Sequence, residues 1–348
     1  MKKKLFLGLL AAAAVSFTAC QKDEVISEMP QDNAIGFGTY VGRDAQTKAG
    51  VTDQAAMENA LYAGFGVFAY YTENNSYANT FTHEFMDNQQ VTWNTSWDYN
   101  PKKYWPGGTN KVSFFAYAPY TNVTSLPTEN IKAFGYDNAG KGNPTLNFSV
   151  AEDVDNQIDL LYATPKTDLT SGKVEFVFNH ALSRIGFKVK TSNEEYRIKI
   201  SQITLTANFN NSGTLNLNTG EWSGTTPSER TYTLNTFTPQ DFFSTAGQAI
   251  SATEGYAMVI PTDLTSNKIQ IRVTYTYQSK VSATEWSSAV EKIQSGSVGV
   301  DLEEGNAYTF VLTLDPGTAI VFDVESVNNW SPVDGTDTQV TTTLVPLP

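Results

Sequence analysis

Residues 173–190, KVEFVFNHALSRIGFKVK, decide the fold class. Apolar side chains fall at Val174, Phe176 and Phe178, then after a short break at Ile185, Phe187 and Val189. A spacing of two sends successive side chains to opposite faces of an extended chain, so the stretch predicts two half-buried strands. The same alternation recurs on either side. NAIGFGTYV (33–41) places Ile35, Phe37 and Val41 on one face, and NKIQIRVTYTY (267–277) does so with Ile269, Ile271, Val273, Tyr275 and Tyr277. AYTFVLTL (307–314) repeats it with Tyr308, Phe310, Leu312 and Leu314. Two further runs, FGVFAYYT (65–72) and VSFFAYAPY (112–120), are almost continuously apolar or aromatic, which predicts central strands covered on both faces.

Turn chemistry separates these strands. WPGGTN (105–110), NNSG (210–213), NLNTGEW (216–222) and DPGT (315–318) carry the Gly, Asn and Pro residues that reverse a chain. Only TDQAAMENALYAG (52–64) has a helical pattern, with Thr52 or Asp53 as a cap and Gly64 as a stop. Many short strands with almost no helix predict an all-β protein built of β-sandwiches. The polar, turn-rich PKTDLTSGK (165–173) marks the best internal boundary. It gives an N-terminal sandwich over 33–170 and a C-terminal one over 171–330.

The start of the chain has a different character. Lys2, Lys3 and Lys4 precede the apolar LFLGLLAAAAVSF, too short to span a bilayer and shaped like a secretory signal over residues 1–19. FTAC (17–20) then brings small residues up to Cys20, the only cysteine of the 348 residues. This arrangement resembles the lipobox of bacterial lipoproteins, which implies that Cys20 is acylated and becomes the mature N-terminus. Several acyl chains anchor firmly where one is marginal. The polar residues 20–32 read as the lipidated tether, and QKDE (21–24) resembles the short acidic signals that send lipoproteins to the outer face of the outer membrane.

The formal net charge is −13, more acidic still once the leader lysines are removed. That balance disfavours nucleic acid as a partner, because binding it rests on neutralising phosphates with Lys and Arg.

FGVFAYYT, KKYWPGGTNKVSFFAYAPY, DLLYATPK and VEFVFNHALSRIGFKV, in this order, resemble the fimbrillin family of the Bacteroidales, the Mfa-like and fimbrillin A-like subunits of type V pili. The resemblance implies two tandem transthyretin-like β-sandwiches. It also implies an assembly route: export as a surface lipoprotein, removal of the N-terminal segment with its first strand by an Arg- or Lys-specific protease, and filling of the vacated groove by the C-terminal strand of another subunit. An edge strand taken away exposes unpaired backbone groups and apolar pockets, and an added strand satisfies both. Because donor and acceptor are different surfaces, such a contact builds an open filament.

Each part of that route has candidate residues. The strand to be displaced is 33–42, with Ile35, Phe37 and Val41 facing inward. GRDAQTKAG (42–50) follows, offering Arg43 and, as a second choice, Lys48 for processing in a loop of the composition that proteases nick. The donor candidate is the tail 331–348, in which Val340, Thr342 and Leu344 share one face and Val345 and Leu347 the other. A last strand folded on its own domain is the alternative for that tail. The implied partners are other fimbrial subunits, the protease, the outer membrane through the lipid, and a receptor on a host or bacterial surface.

Other constellations are weaker. DVDNQID (153–159) holds Asp153, Asp155, Asn156 and Asp159 but lacks the glycine and terminal glutamate of a calcium loop, so an acidic turn is expected. His83 and His180 lie far apart, and His180 is expected to be a hydrogen-bonded structural residue. No metal or other cofactor is implied, and the sequence offers no nucleophile elbow, phosphate loop or nominated carboxylate pair, so catalysis is not expected. The rival to a fimbrial subunit is a monomeric surface lipoprotein that binds glycans through Trp93, Trp97 and Trp105, in a cluster with Tyr99 and Tyr104.

Overall fold

The computed structural model describes residues 33–41, 54–59, 63–78, 84–122, 130–138, 141–238, 240–244, 250–254 and 256–329. Cys20, Arg43, Lys48 and His83 lie outside the described residues, as do Val340, Thr342, Leu344, Val345 and Leu347. The chain is all-β, as the alternation predicts. Its first half supplies β1 (Gly36–Val41), β2 (Phe65–Tyr71), β3 (Glu84–Trp93), β4 (Trp97–Asp98), β5 (Val112–Ala118), β6 (Ile131–Asn138), β7 (Lys141–Ser149), β8 (Leu161–Ala163), β9 (Lys166–Leu169) and β10 (Lys173–His180). Then come β11 (Ser183–Thr191), β12 (Tyr196–Asn210), β13 (Ser212–Asn216), β14 (Trp222–Ser223), β15 (Pro227–Leu234), β16 (Thr236–Thr238), β17 (Ile250–Glu254) and β18 (Ala257–Val259). The last are β19 (Thr262–Asp263), β20 (Ile269–Ser279), β21 (Val290–Val298), β22 (Asp301–Leu302), β23 (Asn306–Leu314) and β24 (Val321–Asn329).

An eight-stranded sheet runs β1-β10-β8-β5-β2-β3-β4, with β9 on β5. A six-stranded sheet runs β16-β17-β11-β23-β24, with β18 on β11, and a four-stranded sheet runs β15-β12-β20-β21. β6 and β7 join β13 and β14 in another four-stranded sheet, so strands from both halves of the sequence share one ladder.

The two continuous apolar runs become β2 and β5, the centre of the large sheet, and both faces of each are covered. Phe65, Val67, Phe114 and Ala116 face one core together with Phe176 and Phe178. Phe68, Tyr70, Phe115 and Tyr117 face the other, where Leu146 and Phe148 of β7 and the C-terminal strands pack. Each large side chain placed there contributes about 1.5–3 kcal/mol of transfer free energy, which a small polar residue at the same position would forfeit.

Strand membership departs from the sequence at β10. β10 pairs with β1 and β8, so it belongs to the N-terminal sheet, and the chain changes sheet at Ala181 and Leu182 instead of at 170/171. The turn-rich 165–173 holds β9 and the short turn 170–172 that leads into β10, all inside one sheet. Ala181 and Leu182 are fully buried, so the real crossing carries no polar signal. The described part of the expected helix is one turn, α1 (Gln54–Met57), which buries Met57. Gly64, the expected stop, has φ +77, and a Cβ there would sit 2.0 Å from the Val91 carbonyl oxygen. Only glycine meets both demands.

Candidate functional site

The edge of the large sheet where β1 lies is the best-defined candidate site. β1 runs parallel to β10, from Gly36 opposite Lys173 to Val41 opposite Phe178. Its sequence alternates, so Phe37 and Val41 turn inward with Ile35 just before the strand, and all three are buried. Phe37 lies stacked on Phe176, with centroids 5.7 Å apart and planes at 12°. Tyr99 flanks it at 5.3 Å, and Phe65 and Phe114 meet it edge-on at 6.1 Å each. Aromatic pairs in these arrangements add about 0.5–1.5 kcal/mol each beyond area burial.

Among the described residues, the other side of β1 carries no ladder and is held by a set of individual ties. Trp97 Nε1 donates to Thr39 Oγ1 at 2.9 Å, and the Tyr99 hydroxyl donates to the Ile35 carbonyl at 2.9 Å. The Ile35 amide donates to the Lys103 carbonyl at 2.9 Å. From α1, Gln54 Oε1 accepts from the Val41 amide and Gln54 Nε2 donates to Thr39 Oγ1, both at 3.1 Å. Burial pushes the Tyr99 hydroxyl above its ordinary pKa, so it stays protonated and a donor. If β1 were withdrawn, these donors and acceptors, the free edge of β10 and an aromatic slot the width of Phe37 would be exposed together.

Trp97 and Trp105 are part of this wall. Trp97 packs edge-on against Phe65 at 4.9 Å, and Trp105 meets Phe114 at 5.8 Å while its Nε1 donates to the Gly172 carbonyl. Both are buried, at 9% and 4% exposure, so neither offers a free ring face on which a sugar could stack. Trp93, half-buried, lies against Trp97. The cluster read as a glycan platform is thus the lining of the β1 groove, because each indole finds an apolar neighbour and a partner for its N–H or its ring.

His180, at the end of β10, meets Asp159 through Nδ1 at 2.9 Å, with both side chains almost fully buried. Asp159 is thereby engaged with His180. In the acidic turn Asp153 caps a short 3₁₀ segment, accepting from the Asp155 amide and from Asn156 Nδ2. Gln54, Thr39 and Tyr99 are the groove residues that alternation does not single out. A glutamine on a one-turn helix has no periodic signature, and Tyr99 stands out in the sequence only as one ring of the aromatic cluster, without its hydroxyl's reach to Ile35.

Comparison with known proteins agrees with the all-β fold. A family model described as fimbrillin-like matches residues 47–330, leaving β1 and the tail outside it. The fimbrium subunit Fim1C of Phocaeicola vulgatus is 34% identical over 196 residues, 52% of this chain. That match spans about half the length of the relative, 50%. The crystal structure of a fimbrial protein from Bacteroides vulgatus ATCC 8482 superposes with a TM-score of 0.70 at 23% identity, covering 86% of this chain and all of the other. The family match takes in most of the chain, so the protein is a member of the fimbrillin-like family.

Proposed function

We propose that the chain is a structural subunit of a surface fimbria, exported as a lipoprotein acylated at Cys20, cut after Arg43 or Lys48, and polymerised by donor-strand exchange. The observation that carries this reading is the attachment of β1: one parallel ladder to β10, a few side-chain ties, and a stacked phenylalanine. Such a strand is well seated yet replaceable by another of the same pattern. Both basic residues follow β1 closely, within a segment of loop composition.

The tail has a matching pattern. Phe37, Thr39 and Val41 read apolar, threonine, apolar at a spacing of two, and Val340, Thr342 and Leu344 read the same. In the proposed exchange Thr342 of an incoming subunit takes the place of Thr39 as acceptor for Trp97, and Val340 and Leu344 enter the slots of Phe37 and Val41. Val345 and Leu347 lie on the opposite face.

Intact mass of the protein recovered from the cell surface tests this directly. A chain beginning at Asp44 or at Ala49 within a ladder of oligomers is expected; the ladder is lost on deletion of 331–348, and lipidated monomer replaces it on Arg43→Ala with Lys48→Ala. A chain that always begins at acylated Cys20 and is always monomeric overturns it.

A further inference from the structure

A second cavity lies away from the β1 groove, between β2 and β3, the segment after β5, and β6, with a volume of about 560 Å³. That is within the range of about 300–1,000 Å³ in which small ligands are enclosed. Its floor is aromatic: the Phe134 ring lies 5.4 Å from Phe68 and 5.1 Å from Tyr117. Its wall is polar and is shaped by an irregularity in the backbone. Val67 lies opposite Gln89 but Ala69 lies opposite Met86, so β3 has one residue too many and bulges at Asp87 and Asn88.

Asn88 has φ +44, in the left-handed region, and its side chain is pinned. Its Oδ1 accepts from the Tyr117 hydroxyl at 2.8 Å, and its Nδ2 donates to the Thr121 carbonyl at 3.0 Å. A bulge of this kind re-aims side chains and is common beside binding sites, and a strained residue persists where its surroundings hold it. Here Asp87 and Tyr120 line the cleft, and neither the Asp87 carboxylate nor the Tyr120 hydroxyl has a hydrogen-bond partner among the described residues. Tyr136, on the opposite wall, gives its hydroxyl to Glu84.

We propose that this cleft binds a neutral saccharide, whose C–H face lies on Phe134 while its hydroxyls donate to Asp87 and accept from Tyr120. An aromatic floor with a carboxylate and a phenol at its rim suits a ligand that is apolar on one face and hydroxylated at its edge. Burial first, and then the neighbouring Glu84, raise the Asp87 carboxyl. Two acids outnumber the one lysine of the lining, Lys132, which disfavours a ligand bearing another carboxylate. A purely alkyl ligand would leave both acid and phenol unmatched.

The full chain can be probed by saturation-transfer difference NMR and titration calorimetry with a panel of neutral oligosaccharides (lactose, maltose, cellobiose and chitobiose series) beside sialyllactose and an extended hexapeptide. At least one neutral sugar should bind through its ring C–H protons. Affinity should fall at least tenfold in Asp87→Asn and in Tyr120→Phe, whose melting curves should stay close to that of the parent, and should be unchanged in Trp93→Ala. Failure of every neutral sugar, equal or tighter binding of sialyllactose or the peptide, or binding that survives Asp87→Asn overturns the assignment.

Discussion

Two parallel strand pairs in this molecule use similar chemistry and differ in what surrounds them. β1 lies along β10 with Phe37 stacked on Phe176, and β11 lies along β23 with Phe187 opposite Phe310, their rings 5.9 Å apart. β11 is bordered on its other side by β17 and β18, and β23 by β24, so the second pair is internal to its sheet. β1 ends its sheet and meets side chains where β11 meets strands. Burial of aromatic rings is therefore no measure of how many neighbours hold a strand. Under the proposed exchange, the number of ladders, one for β1 and two sides for β11, separates a replaceable strand from a fixed one.

The largest expected effect sets these pairs against each other. Phe187→Ala and Phe37→Ala each remove a buried aromatic ring and should cost about 3–5 kcal/mol. Chemical denaturation should show Phe187→Ala destabilising the whole chain with no recovery on adding a peptide of residues 339–347. Phe37→Ala should be restored in part by the same peptide. Equal behaviour of both variants breaks the comparison.

Next in size is the contact between the large sheet and the turn before β23. The Tyr162 hydroxyl of β8 donates to Glu304 Oε1 at 2.6 Å, and burial pushes the Glu304 carboxyl up from 4.5 to about 7. Folded protein then holds a proton that unfolded protein releases between those values. Stability is highest below about 4.5 for this group and falls as pH rises to about 7, by at most about 3 kcal/mol. Denaturant midpoints measured from pH 4.5 to 7.5 should show this slope, and Glu304→Gln should flatten it.

A smaller effect belongs to the ties of β1. Tyr99→Phe leaves the Ile35 carbonyl without its donor at a buried site and should cost about 1–2 kcal/mol. Hydrogen exchange should rise at Val41 and its neighbours in β1 well before it rises in β11. The smallest concerns Gly38, over which the Lys173–Glu175 ion pair lies, its side chains more than half exposed. Gly38→Ala displaces only the flexible ends of those side chains, and such exposed pairs contribute about 0–1 kcal/mol. Its melting temperature should stay within a degree or two of the parent's.

Much of this was legible in the sequence, for identifiable reasons. Alternation marks β1, β10, β11, β20 and β23 because one face of each meets a core and the other does not. The continuous runs mark β2 and β5 because both their faces are covered. The aromatic residues from 93 to 105 stand out as a cluster, but the same composition serves a sugar platform and a groove wall. Exposure alone separates these, and exposure is a property of the packed chain.

Sequence by itself determined the all-β class, most of the strands and their inward faces, since period and composition are local and each residue's polarity is written in its type. Tertiary structure alone decided that β1 pairs in parallel with β10, that β6 and β7 share a sheet with β13 and β14, and that the chain changes sheets at buried Ala181 and Leu182. Backbone hydrogen bonds between strands are nearly the same for any residues that make them. Choice of partner therefore rests on how distant apolar faces close over one another, which no short stretch encodes.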